Sequence, residues 1–303
     1  MAKIAAALTK PLAQNSTDGG TSRLSTRMLA RGSGWTVHDV ICTAGPQDPS
    51  YEEQHAHTSI AIVTAGSFQY RSGSRSAKQY ELMTPGSLLL GNAGQTFECG
   101  HEHGTGDHCL SFQYTQEHFE QLAADAGAAV SKRRFPVLRV PPLRALSPVI
   151  ARACAGTAEP VNAPWDELSI QLAGQAIQLA SGVTPNRRGT QPGSEARVAR
   201  SLRAIEHRPE AALTIENMAL EAGLSPYHFL RTFQLLTGVT PHQYILRVRL
   251  RGAAGRLLNP SSDRSVSILD IALDCGFGDL SNFNHAFRAE FGLSPRRYRK
   301  LHT

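Results

Sequence analysis

Hydrophobic and polar residues alternate over residues 59–64, 67–70, 87–90 and 110–114, and Gly66, Gly73, Gly86, Gly94 and Gly104 to Gly106 punctuate these runs. A period of two is that of a strand with one buried face, and many short strands at close spacing predict a sandwich or barrel. Over residues 115–125 and 166–180 the period becomes helical, with Leu168, Ile170, Leu172, Ala176, Ile177 and Leu179 supplying apolar faces. The second of these helices either lies on its own barrel or pairs with a second copy of the chain. Residues 181–194, SGVTPNRRGTQPGS, have no hydrophobic period and the composition of a flexible connection. The last hundred residues read as helices, with turn signals at Gly223, Gly238, Gly276 and Gly292. The expected fold class is therefore α+β multidomain. A flexible N-terminus (1–25) leads into a β-barrel domain with helices (26–182), and a linker (183–196) joins it to an all-α domain (197–303).

The all-α domain repeats itself. Ile215, Ala219 and Gly223 match Ile268, Ala272 and Gly276 at one offset. After one extra residue in the second copy, Phe229, Phe233, Gly238 and Pro241 match Phe283, Phe287, Gly292 and Pro295. Each copy has the grammar of a helix-turn-helix, at about 213–236 and 266–291. A small Ala lets a second helix cross closely, a Gly stops the first helix, and Ser225 with Pro226 offers an N-cap and a first helical residue. If Phe229 and Phe233, or Phe283 and Phe287, are buried, then at 100° per residue the outer face of the second helix is fixed. It consists of Tyr227, Arg231 and Gln234 in one unit and Ser281, His285 and Arg288 in the other, with His228, Leu230, Asn282 and Asn284 flanking. Such side chains hydrogen-bond to base edges or phosphates, and two such helices joined by a helix over residues 243–258 suit successive major grooves about 34 Å apart.

Charge supports this division. Of 31 Lys and Arg, 15 lie from Arg197 onward against 9 acidic residues, so the whole net charge of +6 sits in the last third. A segregated positive field suits a polyanion such as nucleic acid. With 41% hydrophobic and 18% charged residues in 303, the composition excludes a disordered chain and is enough for two cores. No apolar run reaches the roughly 20 residues of a membrane span, the start does not read as a signal peptide, and five cysteines are an odd, sparse set; a reducing cytoplasm is the expected location.

The segment from Arg197 to Arg299 resembles the DNA-binding domain of the AraC/XylS family of transcription regulators. The residues that carry the resemblance are Ile215, Ala219, Gly223, Leu224, Ser225, Phe229, Arg231, Phe233, Gly238, Pro241 and Tyr244. Arg249, Leu250, Ala253, Leu257 and Leu258 follow, then Ser267, Ile268, Ile271, Ala272, Gly276, Phe277, Phe283, Phe287, Phe291, Gly292, Ser294, Pro295, Tyr298 and Arg299. The resemblance implies that Tyr227, Leu230 and Arg231, and Leu280, Ser281, Asn282 and His285, read bases, and the outer-face geometry adds Gln234. Leu230 stands where the family commonly has a polar reader, so it would meet a thymine methyl group, and His285 stands where Arg is frequent. His228, Arg249, Arg288, Arg296, Arg297 and Arg299 are candidate phosphate contacts, with Arg249 alternatively structural. The resemblance further implies double-stranded DNA as partner, RNA polymerase for an activator, and a homodimer.

In the first domain His55 and His57, two apart, and the Pro85–Gly86 turn are similar to the cupin pattern, which makes a cupin-like barrel the expected effector-binding half. Cys99, His101, His103, His108 and Cys109 follow within eleven residues. His55, His57, Cys99, His101, His103 and Cys109 are thus candidates for an effector or metal site, since thiolate and imidazole suit zinc and related metals. Small-molecule contacts, plain loop histidines, or a redox pair of Cys99 with Cys109 remain as alternatives; no cofactor follows from the sequence. A cupin metal site normally adds a Glu soon after the histidine pair, and residues 59–64 supply none. The expectation is thus a non-enzymatic regulator. A metal-dependent cupin enzyme with a helical partner-binding tail and a non-specific nucleic-acid binder stand as rivals.

Overall fold

The computed structural model describes residues 24–50, 52–72, 79–126, 134–158, 160–161, 163–182, 193–211, 213–258 and 266–302. Expectations for residues 1–23 and 183–192 lie outside the described residues. Leu24 and Ser25, placed in the flexible start, open a strand, and the last three linker residues (194–196) open a helix.

The first domain contains strands β1 (Leu24–Gly32), β2 (Trp35–Cys42), β3 (Glu52–Gln54), β4 (Thr58–Gly66), β5 (Phe68–Ser72), β6 (Gln79–Met83), β7 (Leu88–Gly91), β8 (Thr96–Gly100), β9 (Asp107–Tyr114) and β10 (Arg139–Val140). Helices α1 (Gln116–Asp125), α2 (Ser147–Gly156) and α3 (Trp165–Ala180) complete it. The strands form two antiparallel sheets, ordered β1-β2-β9-β4-β7-β10 and β3-β8-β5-β6. The expected cupin-like barrel is not confirmed: among the described residues the strands form two separate sheets and no strand pairs across them. The physical reason is that a two-residue period fixes which side of a strand is buried but not which strands pair, so sandwich and barrel write the same pattern.

The pleat of the larger sheet serves two layers. Ile60, Ile62, Leu110, Phe112 and Tyr114 point toward the helices and share a core with Leu168, Leu172 and Ala176 of α3. Ala61, Val63 and Cys109 point the other way, toward Phe68, Tyr70 and Met83 of the smaller sheet. Helix α3 therefore lies on its own sheet, one of its two expected roles; the Tyr114 hydroxyl donates to the Ser169 carbonyl at 2.8 Å. Among the described residues no helix is long and apolar enough to cross a membrane.

The second domain is helical throughout: α4 (Ser194–His207), α5 (Ile215–Glu221), α6 (Pro226–Thr237), α7 (Pro241–Leu258), α8 (Ile268–Asp274), α9 (Leu280–Phe291) and α10 (Pro295–His302). Its two units each own a core. Phe229, Phe233 and Tyr244 centre the first, and Phe283, Phe287 and Tyr298 the second. The two cores take in one residue each from the first domain, Leu82 of β6 and Ala151 of α2.

Candidate nucleic-acid interface

Helix α6 begins because Ser225, in extended conformation, accepts a hydrogen bond from the His228 N–H while Pro226 occupies the first helical turn. It ends at Gly238, whose φ of 80° is the left-handed value that glycine adopts without strain. Phe229 and Phe233 are fully buried, so the opposite side must face out. Tyr227 is 65% exposed, and Arg231 and Gln234 are exposed beside it. Leu230, on the flank, is half-buried.

Helix α9 repeats the construction. Asp279 caps it by accepting from the Asn282 N–H at 2.7 Å, and Gly292 ends it at φ 75°. Phe283 and Phe287 are fully buried, whereas Leu280, Ser281, Asn282, His285 and Arg288 are exposed. Asp279 also accepts from the Asn282 side chain at 2.6 Å, which orients that amide before any ligand arrives. Both outer faces expected from the sequence are therefore free of the core.

The basic residues divide. Arg288, Arg296 and Arg297 are exposed. Arg249 has the contacts of its structural alternative: half-buried, its guanidinium donates to the carbonyls of Pro209, Gly276 and Ala211 at 2.6, 2.8 and 3.0 Å. It ties the loop after α4 to the turn after α8, and burial lowers its pKa against the charge of Glu210. Arg299 is half-buried and donates to the Val266 carbonyl at 3.2 Å. The His228 ring is turned onto Ser225 at 3.0 Å.

Helices α6 and α9 are both held at their C-terminal ends by the first domain. At the end of α6, buried Arg139 of β10 donates to the Thr237 carbonyl at 3.1 Å and to Glu81 at 3.0 Å. At the end of α9, buried Glu290 accepts from the Ser147 hydroxyl of α2 and pairs with Arg247 at 3.4 Å. Tyr227, Arg231 and Gln234 of α6 and Ser281, Asn282, His285 and Arg288 of α9 precede these contacts along their helices and are exposed.

A family model described as a helix-turn-helix domain matches residues 218–301, which spans both units. The activator RhaS of Klebsiella pneumoniae is 39% identical over 107 residues, 35% of this chain and 37% of that protein. The melibiose operon regulatory protein of Escherichia coli is 36% identical over 104 residues, 34% and 33% of the two chains. This chain carries the helix-turn-helix domain of the AraC/XylS family. It spans about a third of the length of the curated relatives it matches. Among solved structures, the DNA-binding domain of AdpA in complex with a target DNA shares 28% identity over 35% of this chain and 91% of that chain, with a TM-score of 0.32.

Upstream of this AraC-type domain, the two sheets of the first domain enclose a cavity of about 660 Å³. Val40, Ala61, Phe68, Leu89 and Phe97 give it apolar walls. Of the six residues expected there, His55, Cys99, His101 and Cys109 line it. His57 does not: both histidines lie in the connection between β3 and β4, outside strand alternation, and His57 is exposed while His55 turns to the cavity. His103 sits half-buried in the turn between β8 and β9, where its carbonyl accepts from Arg203 of the AraC-type domain.

Within the cavity His55 stacks on Phe97 with centroids 4.2 Å apart and meets the Tyr70 hydroxyl at 2.7 Å and Ser59 at 3.1 Å. Burial lowers its pKa to about 4, so it is a neutral hydrogen-bonding group at neutral pH. His101 behaves oppositely. Burial opposes its charge, but hydrogen bonds and charge from Asp107 and Cys42 outweigh that and hold it at about 9. Cys99 and Cys109 are free thiols whose pKa values burial pushes well up, which leaves them protonated and unreactive. Cys42 and Asp107, which strand register brings to this cavity, and Tyr70, buried behind His55, were not among the expected site residues.

Proposed function

We propose that the chain is a sequence-specific DNA-binding regulator of transcription, controlled by a small molecule held between the sheets of its first domain. The observation that carries this reading is the pair of phenylalanine-anchored helices that each turn a row of polar side chains outward. Tyr227, Leu230, Arg231 and Gln234, with Leu280, Ser281, Asn282 and His285, read bases. Arg288, Arg296 and Arg297 contact phosphates, with His228 and Arg299 in supporting positions. Arg249 is left to hold the domain together. A homodimer on two half-sites, and contact with RNA polymerase if the effect is activation, extend the proposal.

The cavity supports the effector half of the reading, because about 660 Å³ with apolar walls and a few inward polar groups suits a small organic molecule. Coupling has a physical route. In β6, Leu82 packs into the core of the first helix-turn-helix unit while the next residue, Met83, packs among the residues between the sheets. A ligand that shifts this strand acts on α6 directly.

The test is selection of bound sequences from random DNA, followed by affinity measurements on selected and scrambled duplexes across salt concentrations. A selected site bound on the order of 10³-fold more tightly supports specific readout. Equal affinity for both duplexes, with a steep salt dependence alone, assigns the domain to non-specific binding.

A further inference from the structure

Three side chains with different donor atoms meet at the cavity wall. Cys42 ends β2, Asp107 begins β9, and the two are direct partners in the antiparallel register, so their side chains leave the same face of the sheet. His101 comes from the facing sheet, one residue after β8. A thiol sulfur, an imidazole nitrogen and a carboxylate oxygen from these three lie within 4.8 Å of one another, and all three residues line the cavity.

We propose that Cys42, His101 and Asp107 form a binding site for a zinc-class divalent cation, with its cavity side open to a further, exchangeable ligand. Mixed sulfur, nitrogen and oxygen donors match the preferences of zinc. Three protein ligands with one open position is the arrangement of sites that take up water or a small molecule, whereas purely structural zinc sites are closed by four. The surroundings are built for it. The Ala44 N–H points at the Cys42 sulfur at 3.5 Å, Cys109 donates to Asp107 at 3.3 Å, and the Phe68 ring lies 5.9 Å from the His101 ring. Such outer contacts fix ligand orientation. The Nε2 of His101 is now 2.7 Å from Asp107, so a cation replaces that contact by a small separation of side chains rather than a rebuilt backbone. The remaining candidates of the cluster have other work. His55 is bonded to Tyr70 and Ser59, and His57 is exposed away from the cavity.

The full chain, stripped with a chelator, is titrated with Zn²⁺ against a chromophoric competitor and with Co²⁺ as a spectroscopic probe. One equivalent per chain binds, and Co²⁺ gives a thiolate-to-metal absorption band. Cys42→Ser abolishes the band, and Cys42→Ser and His101→Gln each weaken Zn²⁺ binding by at least about tenfold. His55→Ala, in the same cavity but outside the set, changes neither. Absence of stoichiometric binding, a band that survives Cys42→Ser, or an equal loss in His55→Ala overturns the site. His101→Gln keeps the test decisive if Cys42→Ser does not fold. No DNA enters the measurement, so its failure and failure of the regulator reading are separate results.

Discussion

Arg231 and Arg249 carry the same guanidinium and are both part of the family pattern, yet their surroundings give them opposite work. Arg231 stands exposed on the outer face of α6. If it contacts a guanine edge bidentately, Arg231→Ala costs about 1–3 kcal/mol on the selected site and little on scrambled DNA. Equal weakening on both duplexes would assign it to a phosphate instead. Arg249 gives its donors to three backbone carbonyls. Arg249→Met leaves those acceptors short and destabilises the domain by about 3 kcal/mol, read by urea denaturation, while the salt slope of DNA binding in folded protein stays unchanged. A slope reduced by about one would return Arg249 to the phosphate contacts.

Helices α6 and α9 depend on aromatic anchors more than on intrinsic propensity. Phe233 touches Phe229 and Tyr244 with ring centroids 5.8 and 5.9 Å apart, inside a core with no exposure. Phe233→Ala therefore costs about 3–5 kcal/mol and melts the unit, seen as loss of helical circular dichroism, whereas Gln234→Ala on the outer side changes stability by under about 0.5 kcal/mol. Similar costs for the two would mean the faces are assigned the wrong way round. These units were legible in the sequence because what makes them is local: in α6 a cap, a proline, two phenylalanines and a terminating glycine within 14 residues of chain from Ser225 to Gly238, and in α9 the same set without the proline. The sheets were legible only in part. Alternation located β4, β5, β7 and β9, but the division into two sheets is a matter of pairing, which periodicity does not encode. The same limit hid the cavity cluster. Cys42 and Asp107 are 65 residues apart and meet through antiparallel register, while the conspicuous His55–His57 pair lies in the connection between β3 and β4, where strand alternation does not apply.

At the scale of the molecule, the decisive feature is a polar seam between the domains. Arg139 with Glu81, Glu290 with Arg247 and Ser147, and Glu206 with Tyr244 lie along it. None of these pairs has a sequence signature, since each joins residues brought together only by tertiary packing. Glu206 of α4 accepts from the Tyr244 hydroxyl at 3.0 Å and from the backbone of Gly66, with Arg203 and Arg251 nearby. Burial raises its pKa to about 7, although these hydrogen bonds and cations act to lower it. The folded state therefore holds this proton more tightly than the unfolded chain does. Stability from Glu206 is full below the ordinary carboxylate value of 4.5, and is lost as pH rises toward 7, by up to about 1.4 kcal/mol per pH unit. Above 7 the loss is complete and constant. Glu206→Gln keeps a neutral acceptor for Tyr244 and removes the titration. Urea denaturation at pH 5, 6, 7 and 8 should show the variant gaining on the wild type between pH 5 and 7 and then holding a constant lead. A lead that does not vary with pH would mean that Glu206 is already ionised throughout this range, and that Arg203 and Arg251 hold the seam closed by charge.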